Sequence, residues 1–143
     1  MKFENDFSLV SYLSTGTIRK SSWYLDSGAS HHMTEAQELF SGLTKEDLGV
    51  HVELGDDAKY AVNGEGIVSF QLELGGSFDA QDVLYVPSLK RNLLSISVTE
   101  DKVYVVIFRK GKVFICLEGA SPDTTMRIGV REGNLYRLQG KPI

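Results

Sequence analysis

The chain has 143 residues, of which 15 are basic and 19 are acidic, so its formal net charge is −4 at pH 7. This length fits one domain, and a hydrophobic fraction of 42% with 24% charged residues excludes a mainly disordered chain. The short apolar runs exclude a membrane-spanning helix, the single cysteine excludes a disulfide framework, and the negative charge disfavours a nucleic-acid binder that relies on bulk charge.

The strands are predicted from short runs rich in Val, Ile, Leu, Phe and Tyr, which the 14 glycines separate. Residues 67–74 end in apolar–polar alternation of period two, which is typical of a half-buried strand. We therefore predict a mainly β domain, folded as a small closed barrel. Strands are expected at residues 7–13, 22–25, 50–54, 59–62, 67–74, 78–86, 102–108, 113–117, 127–130 and 135–138.

Helix signals are few. Thr34 and Gln37 have the spacing of a capping box, with Gly42 as a stop signal. A further helical turn is expected at residues 44–49, and a short helix at residues 91–96, downstream of Pro87.

One segment carries chemistry: residues 23–30 read WYLDSGAS, so a carboxylate, Asp26, follows an apolar strand. Gly28 allows a tight turn or a close backbone approach, and the Ser27 hydroxyl can brace the loop. On the tripeptide alone, an ordinary Asp-Ser-Gly turn is the more frequent explanation, because short motifs recur by chance.

Three stretches in order make the longer segment 20–138 resemble the retropepsin, an aspartic protease, of copia-type LTR retrotransposon Gag-Pol polyproteins. Residues 23–34 read WYLDSGASHHMT, residues 82–95 read DVLYVPSLKRNLLS, and residues 133–138 read GNLYRL. The resemblance implies a retropepsin-type barrel with a flap hairpin and a short C-terminal helix. It also implies an endopeptidase that processes a Gag-Pol polyprotein in the cytoplasm, within virus-like particles. No secretory signal is expected, because the first six residues contain no apolar stretch.

The resemblance assigns residue roles. Asp26 would be the catalytic aspartate, Ser27 would tie the two catalytic loops together, and Gly28 matches the glycine of the motif. In retroviral relatives an acidic residue pairs with the arginine of the helix, whereas Ser30 and His31 stand there in this chain. Structural support of the site is expected from the start of the C-terminal helix, at Arg91, Asn92 and Leu93.

The flap is expected at residues 59–68, where two apolar runs flank Asn-Gly, a strong hairpin signal. A glycine-rich tip suits a mobile lid over a cleft, although an ordinary surface hairpin has the same pattern. Substrate is expected to bind to this tip and to pocket walls beside the catalytic loop. The expected substrate-binding residues are Ala29, Ser30, Val62, Asn63, Gly64, Glu65, Gly66, Ile67, Val83 and Leu84.

A single Asp-Ser-Gly segment implies a homodimer, because peptide hydrolysis by this chemistry needs two carboxyl groups that share one proton around a water. The second Asp26 would come from a second copy across a two-fold axis. We expect an acidic pH optimum, since one proton must stay on the pair.

The domain boundary is predicted near residue 98, with residues 1–98 as the protease domain and residues 99–143 as a C-terminal β extension. Hairpins are expected around residues 109–112 and 132–134. The extension would either contribute to the dimer interface or link the protease to the next polyprotein segment.

Other functions are less well supported. A metal site would need side chains such as histidine and cysteine at a suitable spacing, for example four residues apart on a helix. No such pair exists among His31, His32, His51 and Cys116, so neither a metal nor another cofactor is predicted. The main alternative is a catalytically silent module on the same fold that dimerises or binds peptides. A more distant one is a related protease that acts on host proteins.

Overall fold

The computed structural model describes residues 21–47, 49–53, 58–102 and 104–143. Within those ranges the chain is mainly β, as predicted, with one short α-helix and two 3-10 turns. The strand predicted at residues 7–13 lies outside the described residues. None of the described helices is long and apolar enough to cross a membrane.

Most of the predicted strands overlap an observed one. The 3-10 turns cover Gln37–Leu39 and Pro122–Thr124, and helix α1 covers Ile96–Asp101. The strands are β1 (Trp23–Asp26), β2 (Met33–Thr34), β3 (Gly42–Lys45), β4 (His51–Glu53), β5 (Lys59–Ala61), β6 (Gly64–Leu72), β7 (Ser77–Tyr85), β8 (Asn92–Ser95), β9 (Tyr104–Arg109), β10 (Lys112–Leu117), β11 (Met126–Glu132), β12 (Leu135–Leu138) and β13 (Gly140–Pro142).

One large sheet contains eleven of these strands, in the order β13-β6-β7-β2-β8-β1-β12-β11-β10-β9, with β3 also paired to β6. The predicted closed barrel is not found. In the described ranges β9 pairs only with β10 and β13 only with β6, and closure would require the end strands to pair with each other. Strands β4 and β5 form a separate two-stranded sheet.

The core lies on both faces of β1, because successive side chains of a strand point to opposite sides. Trp23 and Leu25 belong to the main core cluster, whereas Tyr24 belongs to a second one. The second cluster contains seven buried residues: Tyr24, Met33, Val62, Leu84, Val86, Leu89 and Leu93. The same alternation places Asp26 on the side of the second cluster.

The predicted hairpin across residues 63–66 is not formed. Strand β5 pairs with β4, and the first residues of β6 pair with β3. Both backbone groups of Asn63 bond elsewhere: its N–H donates to the Tyr85 carbonyl at 2.8 Å, and its carbonyl accepts from the Glu46 N–H at 3.2 Å. Since β3 occupies the edge of β6 that a hairpin partner would need, the chain crosses here from the small sheet to the large one.

The helix predicted at residues 91–96 is also displaced. Residues Asn92–Ser95 form strand β8, which runs parallel to β1, and α1 begins only after Ser95. The two predicted turns upstream differ as well: residues 37–39 form a 3-10 turn without a side-chain cap, and β3 occupies the start of the 44–49 segment. For residues 42–45 and 92–95, pairing in the large sheet overrides the local helix signals.

Both predicted C-terminal hairpins are present. Strands β9 and β10 meet at Lys110 and Gly111, which both have positive φ, as a type I′ turn requires. Strands β11 and β12 meet at Gly133 and Asn134.

These C-terminal strands continue the large sheet, because β12 pairs with β1 and β13 with β6. Val113, Ile115, Ile128 and Leu138 pack into the main core cluster beside Trp23. Residues 104–142 therefore share one sheet and one core cluster with the strands before residue 98.

Candidate active site

Asp26 ends β1 with its side chain buried, only 7% exposed. Its Oδ1 atom accepts a hydrogen bond from the Gly28 N–H at 2.8 Å. Its Oδ2 atom is buried and has no hydrogen-bond partner among the described residues. One oxygen is therefore fixed by the loop, while the other is held away from bulk water without a partner.

Burial raises the pKa of Asp26 above its ordinary value of 3.8. Hydrogen bonds from the Gly28 and Ala29 N–H groups and the positive charge of Arg91 act in the opposite direction, but desolvation is the largest cause. A carboxyl group in this environment retains its proton at a higher pH than an exposed aspartate does.

The loop after Asp26 alternates between buried and exposed residues. Gly28 and Ala29 are buried, whereas Ser27, Ser30 and His31 are exposed. The Ser30 hydroxyl and His31 Nδ1 lie 3.0 Å apart. Exposed side chains therefore follow the buried carboxyl group along the same loop.

Ser95 and His32, which the sequence did not predict as site residues, fix this loop through hydrogen bonds. The Ser95 hydroxyl donates to the Ala29 carbonyl at 2.7 Å, and the Ser95 N–H donates to His32 Nδ1 at 2.9 Å. The signal for Ser95 was available, since serine before an apolar helical segment is typical of an N-cap. The burial of His32, 2% exposed, follows only from the tertiary structure.

Of the predicted supporting residues, Asn92 makes the clearest contacts. The Thr34 hydroxyl donates to Asn92 Oδ1 at 2.6 Å, and Asn92 Nδ2 donates to the Ser22 carbonyl at 3.3 Å. Leu93 is fully buried in the second cluster, and Arg91 is close enough for its charge to lower the pKa of Asp26. The structure thus places Arg91 near Asp26 and Leu93 in the cluster on the same side of β1, whereas Asn92 lies opposite Trp23, at the other end of β1 from Asp26. Asn92 and Leu93 belong to a strand and not to a helix.

The predicted substrate-binding residues are only partly brought together. Val62 and Leu84 lie in the second cluster, on the Asp26 side of β1, whereas Val83 faces the main core. Because Val83 and Leu84 are adjacent in one strand, they cannot line the same wall. Asn63 and Glu65 are exposed, Gly64 is buried, Gly66 is intermediate, and Ile67 is 40% exposed at the surface of β6.

Among the residues that the structure describes, no three His, Cys, Asp or Glu side chains are grouped so that they could hold a metal ion.

The amino-acid sequence around this site is similar to that of known proteins. The family model described as Pol polyprotein, beta-barrel domain matches residues 23–104, which include Asp26, β8 and α1. The retrovirus-related Pol polyprotein from transposon TNT 1-94 of Nicotiana tabacum is 29% identical over 122 residues, and that from transposon RE2 of Arabidopsis thaliana is 34% identical over 74 residues.

These matches cover 85% and 52% of this chain, respectively, but the chain spans only 9% and 5% of the length of those polyproteins. No solved structure matches the chain.

Proposed function

The chain belongs to the Pol polyprotein beta-barrel domain family of retrotransposons, and from this premise we propose that it is a homodimeric aspartic endopeptidase that processes a Gag-Pol polyprotein. Two Asp26 carboxyl groups, one from each protomer, would share a proton around one water. The carboxylate removes a proton from that water, and the protonated partner polarises the scissile carbonyl.

The observation that carries this proposal is the Asp26 carboxyl group itself. It is buried at a strand end, it accepts the Gly28 N–H through Oδ1, and its Oδ2 has no partner in the described residues. A buried, unpaired carboxylate oxygen is costly, so its retention calls for an explanation beyond folding. A second carboxyl group or a substrate water facing Oδ2 would provide the missing partner.

The dimer follows from the chemistry of the pair. Two carboxyl groups about 3 Å apart cannot both ionise, so their protons leave in two coupled steps. The raised pKa of a single buried Asp26 already favours the protonated member of such a pair. The exposed Ser27, Ser30 and His31 side chains around Asp26 are the surface on which the second protomer would lie.

We place the lid over the substrate in the β4–β5 hairpin instead of residues 63–66. These strands form their own small sheet, which packs against the second cluster through Val52 and Tyr60. An extended peptide bound between the hairpin and the loop after Asp26 would be positioned by backbone hydrogen bonds, and pockets would select alternate side chains.

The test is to mix Asp26→Asn with the wild-type protein. We expect Asp26→Asn alone to cleave a Gag-Pol peptide at least about a thousandfold more slowly, because the acid–base pair is lost. When a ninefold excess of the variant exchanges with wild type, about one wild-type protomer in ten keeps a wild-type partner, so activity should fall about tenfold.

The matched control is Asp123→Asn, an exposed position in the 3-10 turn Pro122–Thr124, which should neither lose activity nor inhibit wild type. Full activity of Asp26→Asn would overturn the proposed chemistry. Loss of activity without inhibition of wild type in the mixture would overturn the shared site. If the wild-type protein binds the peptide and never cleaves it, the silent peptide-binding module is the correct function.

A further inference from the structure

The loop that carries Asp26 is fixed to the end of β8. Strands β1 and β8 run parallel with Asp26 opposite Ser95, so both residues reach the same edge of the sheet. From there the Ser95 side chain donates to the Ala29 carbonyl at 2.7 Å and accepts the Val98 N–H at 3.1 Å. Ser95 thus caps helix α1 and holds the catalytic loop with the same hydroxyl group.

His32 fixes Ser95 in turn. The backbone N–H of Ser95 donates to His32 Nδ1 at 2.9 Å, and the His32 carbonyl accepts the Leu84 N–H at the same distance. An imidazole nitrogen that accepts a hydrogen bond carries no proton, so this contact requires the neutral tautomer with the proton on Nε2. A protonated imidazole would present an N–H to the Ser95 N–H, and the bond would be lost.

We propose that His32 is a positioning residue for Asp26, acting through the bond from the Ser95 N–H to its neutral imidazole. The contacts lead from one residue to the next: His32 accepts from the Ser95 N–H, the Ser95 hydroxyl donates to the Ala29 carbonyl, and the N–H of Gly28, directly before Ala29, donates to Asp26 Oδ1 at 2.8 Å. The effect on catalysis rests on the proposed function, whereas the tautomer and the Ser95 contact do not.

The surroundings of His32 favour the neutral form. Burial lowers the pKa of His32 to about 4. Asp82 on β7 raises this pKa, while His31 on the same loop and Lys102 after α1 lower it. Lys102 Nζ itself lies 3.1 Å from Asp82 Oδ2. The cleft of about 380 Å³ next to the imidazole is also lined by Asp79 and Tyr104.

The first experiment needs no proteolytic activity. Imidazole ¹⁵N NMR of the wild-type protein should show His32 with its proton on Nε2 and an unprotonated Nδ1, persisting from neutral pH down to about pH 4. Exchange of the Ser95 amide should be slow in the wild type. A proton on Nδ1, or titration near the ordinary 6.5, would overturn the proposal even if the chain cleaves nothing.

The second experiment separates positioning from a merely structural role. His32→Asn keeps an acceptor where Nδ1 lies, so we expect kcat within about threefold of wild type, whereas His32→Leu should lower kcat by about tenfold or more. Asp123→Asn, at an exposed position outside this network in the 3-10 turn Pro122–Thr124, is the control and should leave kcat unchanged.

The pH profile is the decisive measurement in this series. The wild type should lose activity as His32 takes up a proton near pH 4, and in His32→Asn this loss should move to lower pH because no imidazole remains. Wild-type kcat in His32→Leu, or identical acid limbs in wild type and His32→Asn, would refute the positioning role. Inactivity of the wild type on every peptide would count against the proposed function alone.

Discussion

At the scale of single residues, Asp26 and His32 are both buried titratable groups six positions apart, and burial shifts their pKa values in opposite directions. Desolvation disfavours whichever form is charged, so it raises the pKa of the Asp26 carboxyl and lowers that of the His32 imidazole to about 4. Both groups are therefore biased towards neutrality. A neutral histidine can accept the Ser95 N–H, and a protonated carboxyl can donate to a substrate carbonyl.

This bias predicts how Asp26→Asn changes stability with pH. The folded protein binds the Asp26 proton more tightly than the unfolded chain does. The protonated carboxyl group therefore contributes fully to the free energy of unfolding below pH 3.8, and this contribution is lost as pH rises through the raised pKa. Asparagine cannot ionise, so we expect Asp26→Asn to be more stable than wild type at pH 7, with an advantage that shrinks towards pH 4.

The measurement is urea unfolding of both proteins across this pH range. At each pH the free energy of unfolding of the wild type is subtracted from that of the variant, so that the effect of His32, present in both proteins, cancels. His32 changes stability with pH in the opposite direction: its stabilisation is complete above pH 6.5 and is lost as pH falls through about 4. A pH-independent difference between the two proteins would contradict the raised pKa of Asp26.

At the scale of elements, β6 is the strand on which three other strands of the large sheet pair. One edge of this nine-residue strand pairs with β3 near its start and with β13 near its end, while the other edge pairs with β7. The close approach of β3 requires a residue without a side chain at Gly66. A Cβ atom there would lie 2.8 Å from the Gly42 carbonyl carbon and 2.9 Å from Leu43 Cα, both backbone atoms.

We therefore expect Gly66→Ala to lower the free energy of unfolding by about 2 kcal/mol or more, since backbone atoms of β3 cannot move aside without breaking the ladder. The matched control is Gly42→Ala in the facing strand, where a Cβ meets nothing within 4 Å. That change should stay within about 0.5 kcal/mol of wild type in urea unfolding. Equal stability of the two variants would show that β3 does not pack against β6 as described.

At the scale of the whole molecule, the strands after α1 complete the core that surrounds β1. Strand β12 pairs with β1 in antiparallel fashion, on the opposite edge from β8. Val113, Ile115, Ile128 and Leu138 are each at most 2% exposed, in the same cluster as Trp23. The strand that presents Asp26 is thus held on one edge by residues before position 98 and on the other by residues after it.

A chain that ends at residue 98 should therefore fail to fold. Each buried aliphatic side chain contributes about 1.5–3 kcal/mol, so the loss of these four alone removes roughly 6–12 kcal/mol, comparable with the total stability of a small domain. We expect the truncated chain to show no cooperative urea transition and poorly dispersed amide NMR signals. A cooperative transition in that chain would support the boundary predicted at residue 98.

A milder probe keeps the chain intact. Leu138→Ala should cost about 2–5 kcal/mol, because Leu138 is 1% exposed and its removal leaves a cavity. Leu74→Ala, at a position that is 59% exposed, is its control and should be close to neutral.

The amino-acid sequence by itself determined what depends on neighbouring residues. Short apolar runs separated by glycines predicted most of the strands, Lys110-Gly111 and the turn after Glu132 predicted both C-terminal hairpins, and the apolar run before Asp26 predicted a carboxyl group at a strand end. The three stretches at residues 23–34, 82–95 and 133–138, taken together, also indicated a retrotransposon Pol polyprotein, in agreement with the family match.

Only the tertiary structure decided which strands pair and which polar groups become buried. Residues 63–66 have the local pattern of a hairpin, yet β3 takes that edge of β6, and residues 92–95 have helix signals, yet they pair with β1. Likewise, nothing near His32 in the sequence shows that the distant Ser95 donates to it across the sheet. Local preferences only bias the backbone conformation, whereas ladder partners and burial are set by residues far apart in the chain, which compete for the same edge and the same core.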